Sequence, residues 1–201
     1  YGASCRKIAD WQGKKVLIWG VGREALAAAA LIRQHLPDLP LLFVDENSQS
    51  SPDACAAFGP LVTEPEDMAR ELNHADVIIK SPGVSLYHPM IEQARAQGKD
   101  VTSLINLWFS IPHRGKTVCV TGTKGKSTVA SLIAHMLTGL GKKTALLGNI
   151  GHAVGSIPAD DADYIVIEMS SYQTANFNGL CDVAVMTSLY PEHLDWHRTL
   201  E

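Results

Sequence analysis

The sequence predicts an α/β protein built from doubly wound parallel sheets. Short apolar runs rich in β-branched residues, which suit strands buried on both faces, alternate with longer segments of helical periodicity. The order of strand, glycine-rich loop and helix occurs twice, near residue 20 and again near residue 122. Because two such loops are hard to explain within one nucleotide site, we expect two sites for anionic ligands.

The elements follow one another in βαβα order. We expect strands at 15–19, 41–44, 77–79, 117–120, 144–147, 164–167 and 183–186. Helical periodicity predicts helices at 24–35, 64–72, 89–97 and 127–140. This alternation predicts right-handed crossovers between parallel strands. The segment 110–115 contains Pro, Gly and polar residues, so we place a boundary there between a domain at 1–114 and part of a second domain at 115–201.

Composition excludes several classes of protein. Of 201 residues, 46% are hydrophobic and 19% are charged, which is enough apolar material for buried cores and rules out a disordered chain. The longest nearly apolar run, 25–32, is too short for a membrane span, and no signal peptide is evident. A net charge of -4 without a dense basic stretch argues against nucleic acid as a partner. Widely spaced cysteines without C-x-x-C indicate reduced thiols of a cytoplasmic protein: Cys5, Cys55, Cys119 and Cys181.

The second glycine-rich loop carries the strongest functional signal. An apolar strand runs into GTKGKST at 122–128, and a helix follows. Glycines let backbone N–H groups converge on phosphate oxygens, and Lys126 would add charge at the β- and γ-phosphates. Ser127 would offer its hydroxyl to Mg²⁺, although Val120 stands where the common phosphate loop has its first glycine. The loop therefore predicts an ATP site formed by Gly122, Thr123, Lys124, Gly125, Lys126, Ser127 and Thr128.

Four motifs in register resemble those of the Mur ligases, the ATP-dependent amino-acid ligases of peptidoglycan precursor synthesis. The loop at 122–128 is similar to the family's T-G-T-N-G-K-[ST], with Lys124 in place of its Asn. G-N-I-G follows at 148–151. E-M-S-S-Y-Q at 168–173 resembles E-L-S-S-F-Q of the glutamate-adding branch, and P-E-H-L-D at 191–195 resembles that branch's D-H-[ML]-D.

The resemblance implies a role for each matching residue in the second domain. Lys126 would bind the ATP phosphates, Ser127 and Glu168 would hold one Mg²⁺, and His193 would help to hold a second. The catalytic and metal-binding set is thus Lys126, Ser127, Glu168 and His193, and the muramoyl substrate would face Asn149, Ser170 and Gln173. Glu168 also ends a predicted strand, where α/β sheets place their ligands. Because H-E-x-x-H is absent, we expect His197 to be a solvated residue.

The first glycine-rich loop allows two interpretations. By itself, G-x-G-x-x-A at 20–25, with Asp45 ending the next strand, is a Rossmann dinucleotide fingerprint and favours an NAD-dependent oxidoreductase. Against this stands S-P-G-V at 81–84, which resembles the same motif of the glutamate-adding ligases.

In that family a Rossmann-like domain binds the UDP end of the substrate. The resemblance implies that the UDP-linked substrate borders Gly20, Gly22, Arg23, Glu24, Asp45, Glu46, Ser81 and Gly83. Its pyrophosphate would lie near the glycine loop, and its uracil near Asp45 and Glu46. Glu24 and Glu46 stand where small hydroxyl residues are expected.

The resemblance covers about residues 13–197 and implies one reaction. ATP would phosphorylate the alanyl carboxylate of UDP-N-acetylmuramoyl-alanine, and the amino group of glutamate would attack the acyl phosphate. We expect a cytoplasmic monomer with ATP and magnesium as cofactors and no nucleic-acid or membrane partner. The chain begins at Tyr1 and ends at Glu201, and we expect a piece that lacks the C-terminal domain and binds ligands without turnover.

Three alternatives to this interpretation stay open. An NAD-dependent oxidoreductase would leave the loop at 122–128 without a role. A folylpolyglutamate synthase shares that second loop but has no preceding Rossmann-like domain. A non-catalytic module built on a Mur ligase fold would accommodate the departures at Glu24, Glu46 and Lys124.

Overall fold

The computed structural model describes residues 8–47, 49–156 and 161–197. The chain divides into two compact units, Tyr1–Ser110 and Ile111–Glu201. The division lies inside the segment 110–115, which contains Pro and Gly. No helix in the described parts of the chain has the length and apolar character needed to cross a membrane.

The first unit contains a five-stranded parallel sheet in the order β3-β2-β1-β4-β5. The strands are β1 Val16–Trp19, β2 Leu41–Val44, β3 Leu61–Val62, β4 Val77–Lys80 and β5 Asp100–Thr102. Every residue of β1 and β4 is buried, because these central strands are covered on both faces. The strand order reverses between β1 and β4, and the carboxyl ends at such a reversal border the ligand crevice of doubly wound sheets.

The described residues of this unit form four α-helices around the sheet. They are α1 Arg23–His35, α2 Pro65–His74, α3 Pro89–Ala96 and α4 Leu104–Phe109, and short 3-10 helices occur at Ile8–Trp11 and Pro52–Ala54. Proline is the first residue of α2 and of α3. At that position a backbone N–H would have no hydrogen-bond partner within the helix, so proline loses nothing by lacking one. The sequence did not predict α4, because five of its six residues are buried and no polar face marks its period.

The second unit contains a four-stranded parallel sheet in the order β7-β8-β6-β9. Its strands are β6 Lys116–Thr121, β7 Thr144–Gly148, β8 Tyr164–Glu168 and β9 Val183–Met186, and its helices are α5 Lys126–Gly139, α6 Ser171–Thr174 and α7 Leu194–His197. The buried core joins Val118 and Val120 of β6 to Val166 of β8 and Ala130 of α5. The central strands β6 and β8 therefore hold the phosphate loop and Glu168 against a packed base.

Two features of the sheets differ from the sequence prediction. The edge strands β3 and β5 were missed, because they have two and three half-buried residues and no long apolar run. The prediction that the apolar runs are buried on both faces is wrong for β9, where Val183 and Met186 are 48% and 65% exposed. In the described residues β9 is an edge strand with a single neighbour, β6.

The three cysteines in the described residues are free thiols. Cys55 and Cys119 are buried, and Cys181 is half-buried. Burial is the main cause that raises the pKa of the Cys119 thiol, and the neighbouring Cys181 adds to it. Cys5 lies outside the described residues.

Candidate functional site

The predicted phosphate loop joins β6 to α5. Gly122 and Gly125 have φ of +131° and +82°, a region that side chains disfavour. A Cβ on Gly122 would also lie 2.8 Å from the carbonyl oxygen and 2.9 Å from the backbone nitrogen of Ser188. Glycine is therefore required at position 122 for space as well as for conformation.

The segment after β9 holds this loop in shape through its backbone. Thr123 Oγ1 donates to the Tyr190 carbonyl at 3.0 Å and accepts the Tyr190 N–H at 2.9 Å. The Lys124 N–H donates to Ser188 Oγ at 2.9 Å, and Thr187 Oγ1 donates to the Lys124 carbonyl at 2.6 Å. These bonds leave the loop preorganised at the N-terminus of a 14-residue helix, which favours anions.

The two lysines of the loop have different partners. Lys126 Nζ donates to the Thr123 carbonyl at 2.9 Å, so the ammonium group folds back over the loop. Lys124 is exposed, and its Nζ forms an ion pair with Glu192 Oε1 at 2.7 Å. The hydrogen bond from Lys124 is the main cause that lowers the pKa of Glu192. Lys126 is thus the ammonium that lies directly on the loop backbone.

Glu168 provides a buried carboxylate beside the loop. It pairs in register with Val120, so the carboxylate and the start of the loop share the carboxyl edge of the sheet. Glu168 is 1% exposed, and its Oε1 accepts a hydrogen bond from Asn149 Nδ2 at 3.4 Å. Its Oε2 is buried and has no hydrogen-bond partner among the described residues. A buried carboxylate oxygen without a donor is unfavourable unless a cation or proton reaches it.

This arrangement fits a magnesium ion. Mg²⁺ prefers oxygen ligands, and in nucleotide sites it uses few protein ligands together with phosphates and water. The Glu168 carboxylate and the exposed Ser127 hydroxyl at the start of α5 are ligands of that kind. Among the described residues no group of three His, Cys, Asp or Glu side chains is placed to hold a metal.

His193 precedes α7 and has an unusual backbone conformation. Its φ is +55°, and its carbonyl accepts the N–H groups of Trp196 and His197, both at 3.0 Å. The ring is exposed, lies 5.0 Å from the Tyr172 ring centroid, and places Nε2 3.9 Å from Glu192 Oε2. The imidazole is therefore open to a ligand on the same side as the Lys124–Glu192 ion pair.

The prediction that His197 is solvated is wrong. Its ring packs against Trp196 at 4.6 Å and Tyr172 at 5.9 Å between centroids. Its Nε2 is buried without a hydrogen-bond partner in the described part of the chain, and burial is the main cause that lowers its pKa. The aromatic neighbours come from two short helices that the sequence periodicity did not predict.

Ser170 and Gln173 have a structural role that the sequence analysis missed. Ser170 caps α6, and its Oγ accepts the Gln173 N–H at 3.3 Å while Gln173 Oε1 accepts the Ser170 N–H at 2.8 Å. The signal was available, because S-x-x-Q is a capping-box sequence. The capping box fixes the turn that follows Glu168, and Asn149 lies exposed beside that residue.

In the first unit, the glycine loop lies where three strands end. The Gly20 N–H donates to the Val44 carbonyl at 2.7 Å, and the Ser81 N–H donates to the Trp19 carbonyl at 3.0 Å. Gly20 has φ +110°, and a Cβ there would meet the Ser81 side chain. Ser81 Oγ is buried without a hydrogen-bond partner in the described residues.

The predicted substrate-binding residues around this loop differ in exposure. Gly22 caps the 13-residue helix α1, and Gly22, Arg23 and Gly83 are exposed at the edge of the crevice. Glu24 is half-buried in the first turn of α1. The helix N-terminus therefore meets solvent at the position that the sequence predicts for a pyrophosphate.

The acidic residues after β2 are both engaged. Asp45 folds into its own turn, where its Oδ1 accepts the Asn47 N–H and its Oδ2 accepts the Ser50 hydroxyl, each at 3.0 Å. Glu46 is exposed, and its Oε1 accepts a hydrogen bond from His88 Nε2 at 2.9 Å. Asp45 is thus not presented to a ribose in the way that the dinucleotide fingerprint requires.

Lys80 is a further residue at this edge that the sequence analysis missed. It is the last residue of β4, is 2% exposed, and donates from Nζ to the Ser81 carbonyl at 3.3 Å. Burial lowers the pKa of Lys80 to about 8, and the charge of Glu24 opposes that change. The signal was a single lysine at the end of an apolar run, directly before S-P-G-V.

Comparisons with known proteins identify a domain and relatives that this chain resembles. Residues 120–201 match the Mur ligase middle domain. Over 95% of its length the chain is 43% identical to a UDP-N-acetylmuramoyl-L-alanine--L-glutamate ligase of Micromonospora sp. and 40% identical to the protein of that name in Xanthomonas campestris pv. campestris. Residues 120–201 are thus a Mur ligase middle domain, and the whole chain is similar to Mur ligases. It spans 42% and 43% of those two Mur ligases, less than half of their length.

A solved Mur ligase structure shows the same fold. The UDP-N-acetylmuramate:L-alanyl-gamma-D-glutamyl-meso-diaminopimelate ligase from Neisseria meningitides superimposes with a TM-score of 0.53 at 22% identity, over 91% of this chain and 63% of that one. Mur ligases combine Rossmann-like and P-loop-like α/β domains, which confirms the predicted fold class. Mur ligases use ATP, and an NAD-dependent oxidoreductase is not favoured.

Proposed function

We propose that this chain is the part of an ATP-dependent ligase that binds UDP-N-acetylmuramoyl-L-alanine and the ATP phosphates, and that the complete enzyme adds L-glutamate to that substrate. The observation that carries the proposal is the buried Glu168 carboxylate next to a preorganised phosphate loop on one sheet edge. The substrate and the L-glutamate come from the names of the two relatives. This reaction belongs to peptidoglycan precursor synthesis.

The reaction has two steps, phosphorylation of the substrate and attack by the amino acid. An alanyl carboxylate oxygen attacks the γ-phosphorus of ATP, which gives an acyl phosphate and releases ADP. The amino group of glutamate then attacks the acyl carbon, phosphate leaves with the bonding electrons, and the nitrogen loses a proton. Phosphoryl transfer of this kind depends on positioning and charge neutralisation, so no side-chain nucleophile is required.

The residues of the second unit supply that positioning. The loop N–H groups and the N-terminus of α5 bind phosphate oxygens, and Lys126 adds a positive charge at the transferred group. Ser127 and Glu168 would hold a Mg²⁺, which when bound neutralises phosphate charge, and His193 would help to hold a second. Asn149, Ser170 and Gln173 border the muramoyl substrate in this proposal, with Ser170 and Gln173 also fixing the turn after Glu168.

The first unit binds the UDP end of the substrate in this proposal. The N-terminus of α1 and the buried Ser81 hydroxyl are suited to a pyrophosphate. We assign the UDP-binding domain to residues 1–114 and the partial ATP-binding domain to residues 115–201. The free thiols fit a cytoplasmic protein, and we propose that it acts as a monomer.

Titration calorimetry on this chain tests the assignment of the first unit. We expect saturable binding of UDP and none of NAD, because Asp45 keeps both carboxylate oxygens in its own turn. A control titration with ATP reports on the second unit in the same sample. Saturable NAD binding without a UDP response would overturn the assignment.

The magnesium requirement of the full-length enzyme tests His193. Replacing a metal ligand or its direct support typically weakens metal affinity by about 10- to 100-fold. We therefore expect His193→Gly to raise the Mg²⁺ concentration for half-maximal rate by about tenfold or more. Glycine is the informative replacement because it accepts φ +55° without strain, whereas His193→Ala would combine ligand loss with backbone strain.

The magnesium curve of His193→Gly separates a metal ligand from a histidine whose role is only structural. A purely structural histidine predicts an unchanged magnesium curve for His193→Gly together with a lowered melting temperature. That pair of results would remove His193 from the metal site.

A further inference from the structure

A histidine and a glutamate meet across the end of β1 in the first unit. His88 Nε2 donates to Glu46 Oε1 at 2.9 Å, and His88 Nδ1 accepts the Met90 N–H at 3.3 Å as the N-cap of α3. The ring packs edge-to-face on Trp19, with 4.9 Å between centroids and an interplanar angle of 73°. Trp19 is the buried last residue of β1 and directly precedes Gly20. We call Glu46, His88 and Trp19 the His88 clasp.

The clasp fixes the orientation of Glu46. Hydrogen bonds engage both ring nitrogens of His88, and the ring packs against Trp19. These contacts leave the imidazole a single orientation, with its proton on Nε2. Glu46 follows β2 and His88 precedes α3, so their bond crosses the carboxyl end of β1 beside the glycine loop. The Glu46 side chain is 57% exposed, and its bond to His88 restricts the positions that its carboxylate can take.

The neighbouring acid does not share this arrangement. Asp45 is bonded to Asn47 and Ser50 within one short turn. Of the two acidic residues that follow β2, Glu46 is therefore the one that is bonded across the end of β1. A ligand whose diphosphate lies at the N-terminus of α1 would place its nucleoside on this side of the loop.

We propose that His88 is a positioning residue that holds Glu46 as the hydrogen-bond acceptor for N3–H of a uracil base. The proposal rests on the proposed function, which supplies a UDP-linked substrate. Uracil presents an N3–H donor, whereas cytosine presents an unprotonated N3 acceptor at the same place. A carboxylate only accepts hydrogen bonds, so Glu46 pairs with N3–H of uracil and repels the N3 lone pair of cytosine. The His88 clasp thereby contributes to the choice of base.

Two replacements of His88 separate positioning from helix capping. His88→Asn keeps a favoured N-cap acceptor but is too short to reach Glu46. His88→Gln keeps an N–H donor at about the length of Nε2 but gives up the cap. Dissociation constants for UDP and CDP are measured by titration calorimetry on this chain, together with melting temperatures.

We expect the preference for UDP over CDP to fall about tenfold in His88→Asn, as for loss of a hydrogen bond to a charged group. His88→Gln is expected to keep most of the preference while its melting temperature falls more than that of His88→Asn. A purely structural His88 predicts the opposite: unchanged base preference in both variants, with only melting temperatures affected.

Glu46→Gln tests the acceptor itself. An amide can donate as well as accept, so this variant is expected to bind CDP more tightly and to lower the preference for UDP about tenfold. If the wild type binds UDP and the UDP-to-CDP ratio is unchanged in both Glu46→Gln and His88→Asn, the role of the clasp is refuted and the proposed function stands. If the wild type does not bind UDP, the proposed function and this inference both fail.

Discussion

Replacing Lys126 with alanine is expected to lower kcat of the full-length enzyme by about 100-fold or more, because a preorganised charge at the transferred phosphoryl group is lost. In the structure the Lys126 ammonium lies 2.9 Å from the Thr123 carbonyl, on the loop itself. The rate is measured at saturating ATP and magnesium, so that weaker ATP binding does not hide the effect on chemistry. Binding of ATP to this chain is measured alongside by calorimetry.

A matched control comes from the other end of the same helix. Lys142 is an exposed lysine that follows α5, and Lys142→Ala removes the same charge far from the loop. We expect its kcat to stay within about twofold of the wild type, since exposed charges contribute little. Turnover of Lys126→Ala within about threefold of wild type, with Lys142→Ala equal to it, would mean that this loop is not the ATP site.

The repeated strand, glycine loop and helix made the fold predictable. Apolar runs located the central strands to within one residue at each end, because strands covered on both faces leave a continuous apolar signature. The helices that escaped prediction show no amphipathic period. Leu104–Phe109 is buried on most sides, and Ser171–Thr174 and Leu194–His197 span a single turn each.

The partners of the atypical site residues could not be predicted, because they lie far away in the chain. Lys124 departs from the family pattern, and its charge is paired with Glu192 at 2.7 Å. Glu46 departs from it as well and is paired with His88 at 2.9 Å. Glu24, the third departure, lies close enough to Lys80 to oppose the effect of burial on its pKa. Each atypical charge thus has a hydrogen-bond donor or an opposite charge beside it that only the fold brings near.

Replacing buried Lys80 with methionine is expected to change how stability depends on pH. The pKa of Lys80 falls from 10.5 to about 8 on folding, because burial disfavours the charged form. The unfolded chain therefore binds more protons than the folded chain between pH 8 and 10.5, and the free energy of unfolding rises with pH across that window. Below about pH 8 the folded protein carries the full unfavourable contribution of a buried charge, about 3 kcal/mol at 1.36 kcal/mol per pKa unit.

Lys80→Met removes this contribution and keeps a side chain of similar length in the core. At pH 7 its free energy of unfolding is expected to exceed that of the wild type by about 2–3 kcal/mol, and the difference is expected to shrink toward zero as pH approaches 10.5. Urea unfolding at several pH values, followed by tryptophan fluorescence, measures the difference, since Trp11, Trp19 and Trp108 are buried in the first unit.

Lys15 provides the matched control, because it is exposed and lies directly before β1. Lys15→Met removes the same charge without removing a buried charge, so its stability should depend on pH in the same way as that of the wild type. Groups common to all three proteins, such as the Cys119 thiol with its raised pKa, cancel in the differences between them. A gap between Lys80→Met and wild type that stays constant from pH 7 to 10.5 would show that Lys80 keeps an ordinary pKa when folded, and that its ammonium is solvated at the end of β4.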